Sequence, residues 1–172
     1  MNFQGRAARV GSFLLTLASY NAGGNLSTNR RLSDIGTEIR ADLLGIQSTQ
    51  CAQRAATETV LLSQDNHFLS IQWPYNPRGK WVNRSCGLAL ILNDRLFHFR
   101  DIRNIFIPPV DLQGRIAAIH LAKPKLYNFF VFVLYLPTRN SCYSSPLVTA
   151  KIFDWMTQVI DKGPRCFYCC FG

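Results

Sequence analysis

Three segments near the start of the chain restrict its fold more than any other feature. FLLTLASY (13–20) is apolar and aromatic, and NAGG (21–24) stops it as a turn does. Ser27 or Thr28 is placed to cap a helix with Leu32, Ile35 and Ile39 at helical spacing. Arg30, Arg31, Asp34, Glu38 and Arg40 fall on its polar side, and ADLLGIQ (41–47) follows as a second strand. Strand, helix, strand is the βαβ order of an α/β or layered α+β domain. Ligands of such sheets collect at the carboxyl ends of strands, where NAGG and the polar corner Gln47-Ser48-Thr49-Gln50 both lie.

The rest of the chain is rich in strands. FLSIQW (68–73), GLALILN (87–93), GRIAAIHLA (114–122) and YNFFVFVLYL (127–136) each read as one. LFHFRDIRNIFI (96–107) reads as one or two strands bounded by Pro108-Pro109, and CAQRAATETVLLSQD (51–65) as a second helix. Pro146 opens an amphipathic helix with Leu147, Ile152, Phe153, Met156 and Ile160, and GPRCFYCCFG (163–172) is a turn and a strand. The longest apolar run, 127–136, falls well short of the roughly 18 residues that span a bilayer, so no membrane association is expected. The start can also be read as a signal or Arg-bearing transit peptide. Its apolar run Phe13 to Ala18 is short, Thr16 interrupts it and an Asn/Gly turn follows, so targeting is the minor reading. The chain of 172 residues is read as a tip (1–12) and one domain (13–172).

Charge narrows the partner. The chain carries 19 basic and 10 acidic residues, a formal +9, with no acid before Asp34, which favours nucleic acid. The loop from Trp73 to Gly87 interleaves Trp73, Tyr75 and Trp81 with Arg78, Lys80 and Arg84. Such a mixture suits phosphate neutralisation with rings available for stacking, and makes Arg78, Lys80, Trp81 and Arg84 candidate nucleic-acid-binding residues. The plainer reading is a solvated loop whose aromatics pin it to the sheet. Cys51, Cys86 and Cys142 are scattered, and Cys166-x-x-Cys169-Cys170 has neither a second pair nor a partnered His for zinc. That trio reads as a buried strand with free thiols, so a reducing intracellular compartment, nucleus or cytoplasm, is expected.

Taken in order, LASYNAGGN, the helix, DLLGIQST, GLALIL, GRIAAIHL and FVLYLPTRN resemble the endonuclease/exonuclease/phosphatase superfamily. The resemblance runs from Phe13 to Gly172 and is closest to endonuclease domains of non-LTR retrotransposon polyproteins. It implies an α+β fold, a four-layer α/β sandwich of two mixed, mostly antiparallel sheets with flanking helices. It also implies phosphodiester cleavage or phosphate removal with Mg²⁺ or Mn²⁺, on DNA more than on RNA. In active members the strand matching DLLGIQST ends in Gln-Glu-Thr, and that Glu binds the metal. Here the position is Ser48, and a neutral hydroxyl does not offset the charge of a hard cation. Gln50 stands where a His commonly follows.

By the same resemblance, Asn21 matches an Asn that arranges the metal and the attacking water. Read alone, it is a turn residue before Gly23-Gly24. Tyr135 in Tyr-Leu-Pro matches a Tyr-x-Pro whose phenol reaches the scissile phosphate, although Val133 replaces a common Asn. Read alone, it is an amphipathic aromatic at a strand end. Gly114-Arg115 matches a Gly-Arg pair that begins a strand, with Arg115 mainly structural. The family's next motif after RCFYCCFG is Asp-x-Asn, and a later Ser-Asp-His supplies the general base; neither stands in this sequence. His67, His98 and His120 are candidate bases by residue type only.

The resulting expectation is a truncated, inactive, metal-dependent endonuclease-like domain of retrotransposon origin, with no intact metal site. One alternative is a basic nucleic-acid-binding or interaction module without catalysis. Another is a diverged Mg²⁺-dependent nuclease that recruits metal through Asn21, a partner chain or Asp42, which begins its strand at the wrong end. The resemblance further implies only the first half of a two-sheet sandwich. The sheet face carrying Phe130, Phe132, Leu134 or their neighbours would then need a partner chain or self-association to cover it.

Overall fold

Alternation of buried side chains along the strands sets the layers. A computed structural model describes residues 3–10, 13–23, 32–53, 55, 59–78, 86–136, 146–163 and 167–171. The elements run β1 (Phe3–Val10), β2 (Phe13–Asn21), α1 (Leu32–Ile39), β3 (Leu43–Gln47), β4 (Leu61–Asp65), β5 (Phe68–Trp73), β6 (Leu88–Asn93). After a 3₁₀ turn at Phe99–Asp101 come β7 (Ile102–Phe106), β8 (Ile116–Lys123), β9 (Tyr127–Leu134), α2 (Pro146–Lys162) and β10 (Phe167–Phe171). One sheet has the order β1-β2-β3-β6-β5-β4, the other β10-β9-β8-β7. The pairs β2–β3 and β9–β10 are parallel, each with a helix between its strands in sequence, and the other neighbours are antiparallel. The βαβ order at the start of the chain is therefore as expected.

The two sheets pack face to face. Leu43 of β3, Leu69, Ile71 and Trp73 of β5, and Leu88, Leu90 and Leu92 of β6 meet Ala117, Ile119 and Leu121 of β8 and Phe129, Val131 and Val133 of β9. The alternate residues of the first sheet, Ala18, Leu44, Ile46, Ala89 and Ile91, face α1 through Ile35. Those of the second, Ile116, Ala118, Phe130, Phe132 and Leu134, face α2 through Val148, Ile152, Trp155, Met156 and Val159. Helix, sheet, sheet, helix is the four-layer sandwich, and each fully buried Leu, Val or Phe contributes about 1.5–3 kcal/mol.

This packing corrects the expectation of an uncovered sheet. The first sheet covers the second within the same chain, through Phe129, Val131 and Val133. Phe130, Phe132 and Leu134 lie on the opposite face, beneath α2. Because YNFFVFVL is apolar at both parities, either set of residues could have been the inner one.

Residues 51–65 are also corrected. Instead of a helix they include β4, paired antiparallel with β5 through a turn at Asn66 and His67. Both turn residues have positive φ, 47° and 66°, the two-residue hairpin geometry that Asn favours and that matches strand twist. Upstream, Cys51–Gln53 is held extended against Tyr75, with Tyr75 N–H donating to Cys51 O and Gln53 N–H to Tyr75 O. The tip, given no element by the sequence, is β1, paired along the length of β2 from Phe3↔Tyr20 to Val10↔Phe13. No described helix is long and apolar enough to cross a membrane.

Candidate functional site

At one end of the sandwich the carboxyl ends of β2 and β3 lie beside the amino end of β6, in the register Asn21↔Gln47↔Leu88. Gly87 N–H donates to Gly114 O at 3.0 Å, which ties this end of the first sheet to the start of the second. Tyr135 follows β9 there, its N–H donating to Arg115 O at 2.7 Å. It packs, with Ala52, against the buried Tyr75 and Cys86. Asn21, Ser48 and Tyr135, selected from the sequence, thus share the same end of the molecule.

The corner 47–50 is built chiefly by its backbone. Ser48 and Gln50 adopt left-handed conformations, φ 60° and 56°, uncommon for residues with a Cβ and costing of order 1 kcal/mol or more each. They turn the chain so that Thr49 N–H reaches Gly87 O at 3.1 Å and Gln50 N–H reaches Cys86 O at 3.0 Å. Gly87 itself has φ +103°, and a Cβ there would stand 2.5 Å from Thr49 Oγ1. Ala22 N–H donates to Gln47 O at 3.0 Å, closing the corner on the side of β2.

Apart from Arg115, the side chains present a neutral, hydrogen-bonding surface. Gln47 Nε2 donates to Ser19 Oγ at 3.0 Å. Asn21 Oδ1 accepts the N–H of Gly23 at 2.9 Å, so its oxygen closes a local turn, as its sequence setting also allows. Gln53 Nε2 donates to Gln113 Oε1 at 2.9 Å. Arg115 is 1% exposed, with its guanidinium carbon 5.5 Å from the centroid of the Tyr135 ring. That cation–π contact and the backbone bond fix the tyrosine at this end of the sandwich. The sequence marked Arg115 as structural; nothing in it pointed to Ser19, Gln53 or Gln113.

These residues do not fit a hard divalent cation. Mg²⁺ is bound through carboxylates and water, whereas Ser48 is a hydroxyl only 2% exposed and the Asn21 oxygen already has a donor. Among the described residues no group of three His, Cys, Asp or Glu side chains could share an ion. Asp42 is no substitute: it precedes β3 at the far end, where Oδ2 accepts Thr16 N–H at 2.8 Å and Oδ1 accepts from Asn93 Nδ2 at 3.4 Å.

The basic loop starts from this same end, since Trp73↔Leu88 is the last pair of β5 and β6. Trp73 and Tyr75 are buried, so neither ring is free to stack on a base; they anchor the loop. Arg78 is exposed, its N–H held by Asn76 Oδ1 at 2.9 Å. Lys80, Trp81 and Arg84 lie outside the described residues. The histidines are scattered: His67 is in the hairpin turn, His98 caps the 3₁₀ turn, and His120 shares a 2.6 Å hydrogen bond with Asn128.

Comparison with known proteins returns similarity of structure without similarity of sequence. No family model matches the chain, and neither does any curated protein. The crystal structure of the AP endonuclease LMAP from Leishmania major superposes with a TM-score of 0.61 at 12% identity, covering 90% of this chain and 54% of that one. The catalytic domain of Xenopus laevis APE2 aligns at TM-score 0.45 and 13% identity, over 83% of this chain and 51% of its own length. The chain therefore spans about half the length of these structures. Over the part it spans, its fold is like that of the AP endonuclease LMAP, a four-layer α/β sandwich.

Proposed function

We propose that this chain is a nucleic-acid-binding domain of retrotransposon endonuclease descent that engages DNA without cutting it. The observation that carries this reading is the corner at Ser48. The place where in-line displacement at phosphorus would need a metal-holding carboxylate has a buried hydroxyl and neutral hydrogen-bonding groups. Three features support binding: the formal +9 charge, the likeness to an AP endonuclease, and a basic loop that leaves the first sheet at the same end as the 47–50 corner. Arg78, Lys80 and Arg84 would neutralise phosphates, and Trp81 would supply the stacking ring that Trp73 and Tyr75 cannot. Asn21 and Tyr135 would line the groove as hydrogen-bonding positions. An intracellular setting suits the free thiols of Cys169 and Cys170.

The test is a plasmid-nicking assay with Mg²⁺ and with Mn²⁺, run beside fluorescence anisotropy on a labelled duplex across a salt series. Affinity should fall steeply with salt while the plasmid stays intact, for the wild-type chain and for Ser48→Glu alike. In Arg78→Ala/Lys80→Ala/Arg84→Ala the log–log salt slope should drop by about 3, near one unit per lost phosphate contact. Nicking by the wild-type chain that Tyr135→Phe abolishes would overturn the reading.

A further inference from the structure

The opposite end of the first sheet from the 47–50 corner holds a cavity. Its volume is about 720 Å³, within the range of about 300–1,000 Å³ typical of small-molecule sites. Thr37 and Arg40 line it from the end of α1, Asn66 and His67 from the β4–β5 turn, and Asn93 and Arg95 from the end of β6. From Ala41 to Ser48, at about 3.3 Å per residue of strand, the two sites are about 20 Å apart.

Backbone bonds place both arginines at this rim. Arg40 sits just past α1 with φ 55°, its N–H capping Gly36 O at 2.9 Å. Arg95 N–H is held by Asn93 Oδ1 at 3.1 Å. Both side chains are exposed, and among the described residues neither guanidinium is held by a carboxylate. The nearby Asp94 is already engaged: it lies 3.8 Å from His67 Nδ1 and accepts from Gln64 Nε2 at 3.2 Å. Asp34 and Phe68 also line the cavity, adding an acceptor and an aromatic wall.

We propose that this cavity binds a nucleoside monophosphate. Arg40 and Arg95 take the phosphate, a dianion whose geometry suits guanidinium donors. Asn66 supplies an amide group, and Phe68 offers apolar contact to the nucleoside. A carboxylate in the lining disfavours a bare polyanion and favours a ligand with hydrogen-bond donors as well as charge.

The test is isothermal titration of the full chain with adenosine 5′-monophosphate, inorganic phosphate and adenosine. Adenosine monophosphate should bind more tightly than either fragment, at least tenfold more weakly to Arg40→Gln/Arg95→Gln, and unchanged to Tyr135→Phe. On the unmodified chain, the His67 ring resonances should shift with added nucleotide while those of His98 and His120 stay in place. That measurement decides the matter even if the double variant does not fold. Equal affinity for phosphate and nucleotide, loss of binding in Tyr135→Phe alone, or a stationary His67 would each overturn the assignment.

Discussion

Replacing Gly45 by alanine should destabilise the protein, which is the reverse of what the same change does in an open strand. Gly45 is the middle residue of β3, paired with Ser19 on one side and Leu90 on the other. A Cβ built on it would stand 2.5 Å from Phe171 Cβ and 2.7 Å from its Cγ. Carbon atoms rest at about 3.5–4.0 Å, so the overlap is about 1 Å, against an atom anchored to the β10 backbone. Relief requires the two sheets to move apart, and overpacking of this kind costs about 1–3 kcal/mol. The lower entropy of an unfolded alanine returns about 0.4–1 kcal/mol. A net loss of about 1 kcal/mol should lower the melting temperature by about 2–4 °C in a chain of this size. Urea melts followed by far-ultraviolet circular dichroism would measure it, with the midpoint falling by about 0.5 M. Repeating the change in Phe171→Gly isolates the contact, because there Gly45→Ala should be neutral or stabilising. A stabilising Gly45→Ala in the wild-type background would refute the close approach of the sheets at this point.

Gly114→Ala should be worse, because Gly114 has φ +79° and a Cβ there would collide with Tyr75 and lie 2.9 Å from its Cα; little folded protein should be recovered on expression. Tyr127→Phe should cost about 1.5–3 kcal/mol by equilibrium unfolding, since the Tyr127 hydroxyl donates to the buried Asp101 carboxylate at 2.9 Å. Burial first, and then the hydrogen bond and charge of Asp101, hold the Tyr127 phenol protonated well above its ordinary range. Its folded pKa is therefore raised, so this contribution is full below about pH 10 and is lost as pH climbs through the folded value. Alkaline unfolding curves of wild type and Tyr127→Phe should converge there. Burial, with the neighbouring Cys170, pushes the Cys169 thiol up to about 11. Iodoacetamide at pH 8 should therefore alkylate Cys169 more slowly in the folded chain than in urea; equal rates would contradict the packing of β10.

Most elements were legible because their signals were local. β2, α1 and β3 were marked by an apolar run, a turn and helical spacing, and β5, β6, β8 and β9 by runs bounded with turn residues. β4 was not, because Leu61–Asp65 is an edge strand with a mostly exposed surface and its apolar residues imitate a helix. The information fixing it lies in the following Asn66-His67 turn. The tip resisted for a different reason: β1 is specified by pairing with β2, a tertiary relation that no window of eight residues contains. At the site, the sequence located Asn21, Ser48 and Tyr135 at one end of the fold. It missed the Ser19–Gln47 pair because the partners are 28 positions apart and polar residues at strand ends are common.

The corner at 47–50 shows that folding and chemistry can draw on separate atoms. Its shape depends on main-chain amides and carbonyls of Ala22, Gln47, Thr49, Gln50, Cys86 and Gly87, and on the space that Gly87 leaves. Position 48 lends a left-handed backbone. A stable sandwich accepts Ser, Asn or Gly there, since all three tolerate that backbone conformation. An architecture held in this way keeps its shape whichever of these side chains stands at the corner, and so leaves that position open to selection for other purposes.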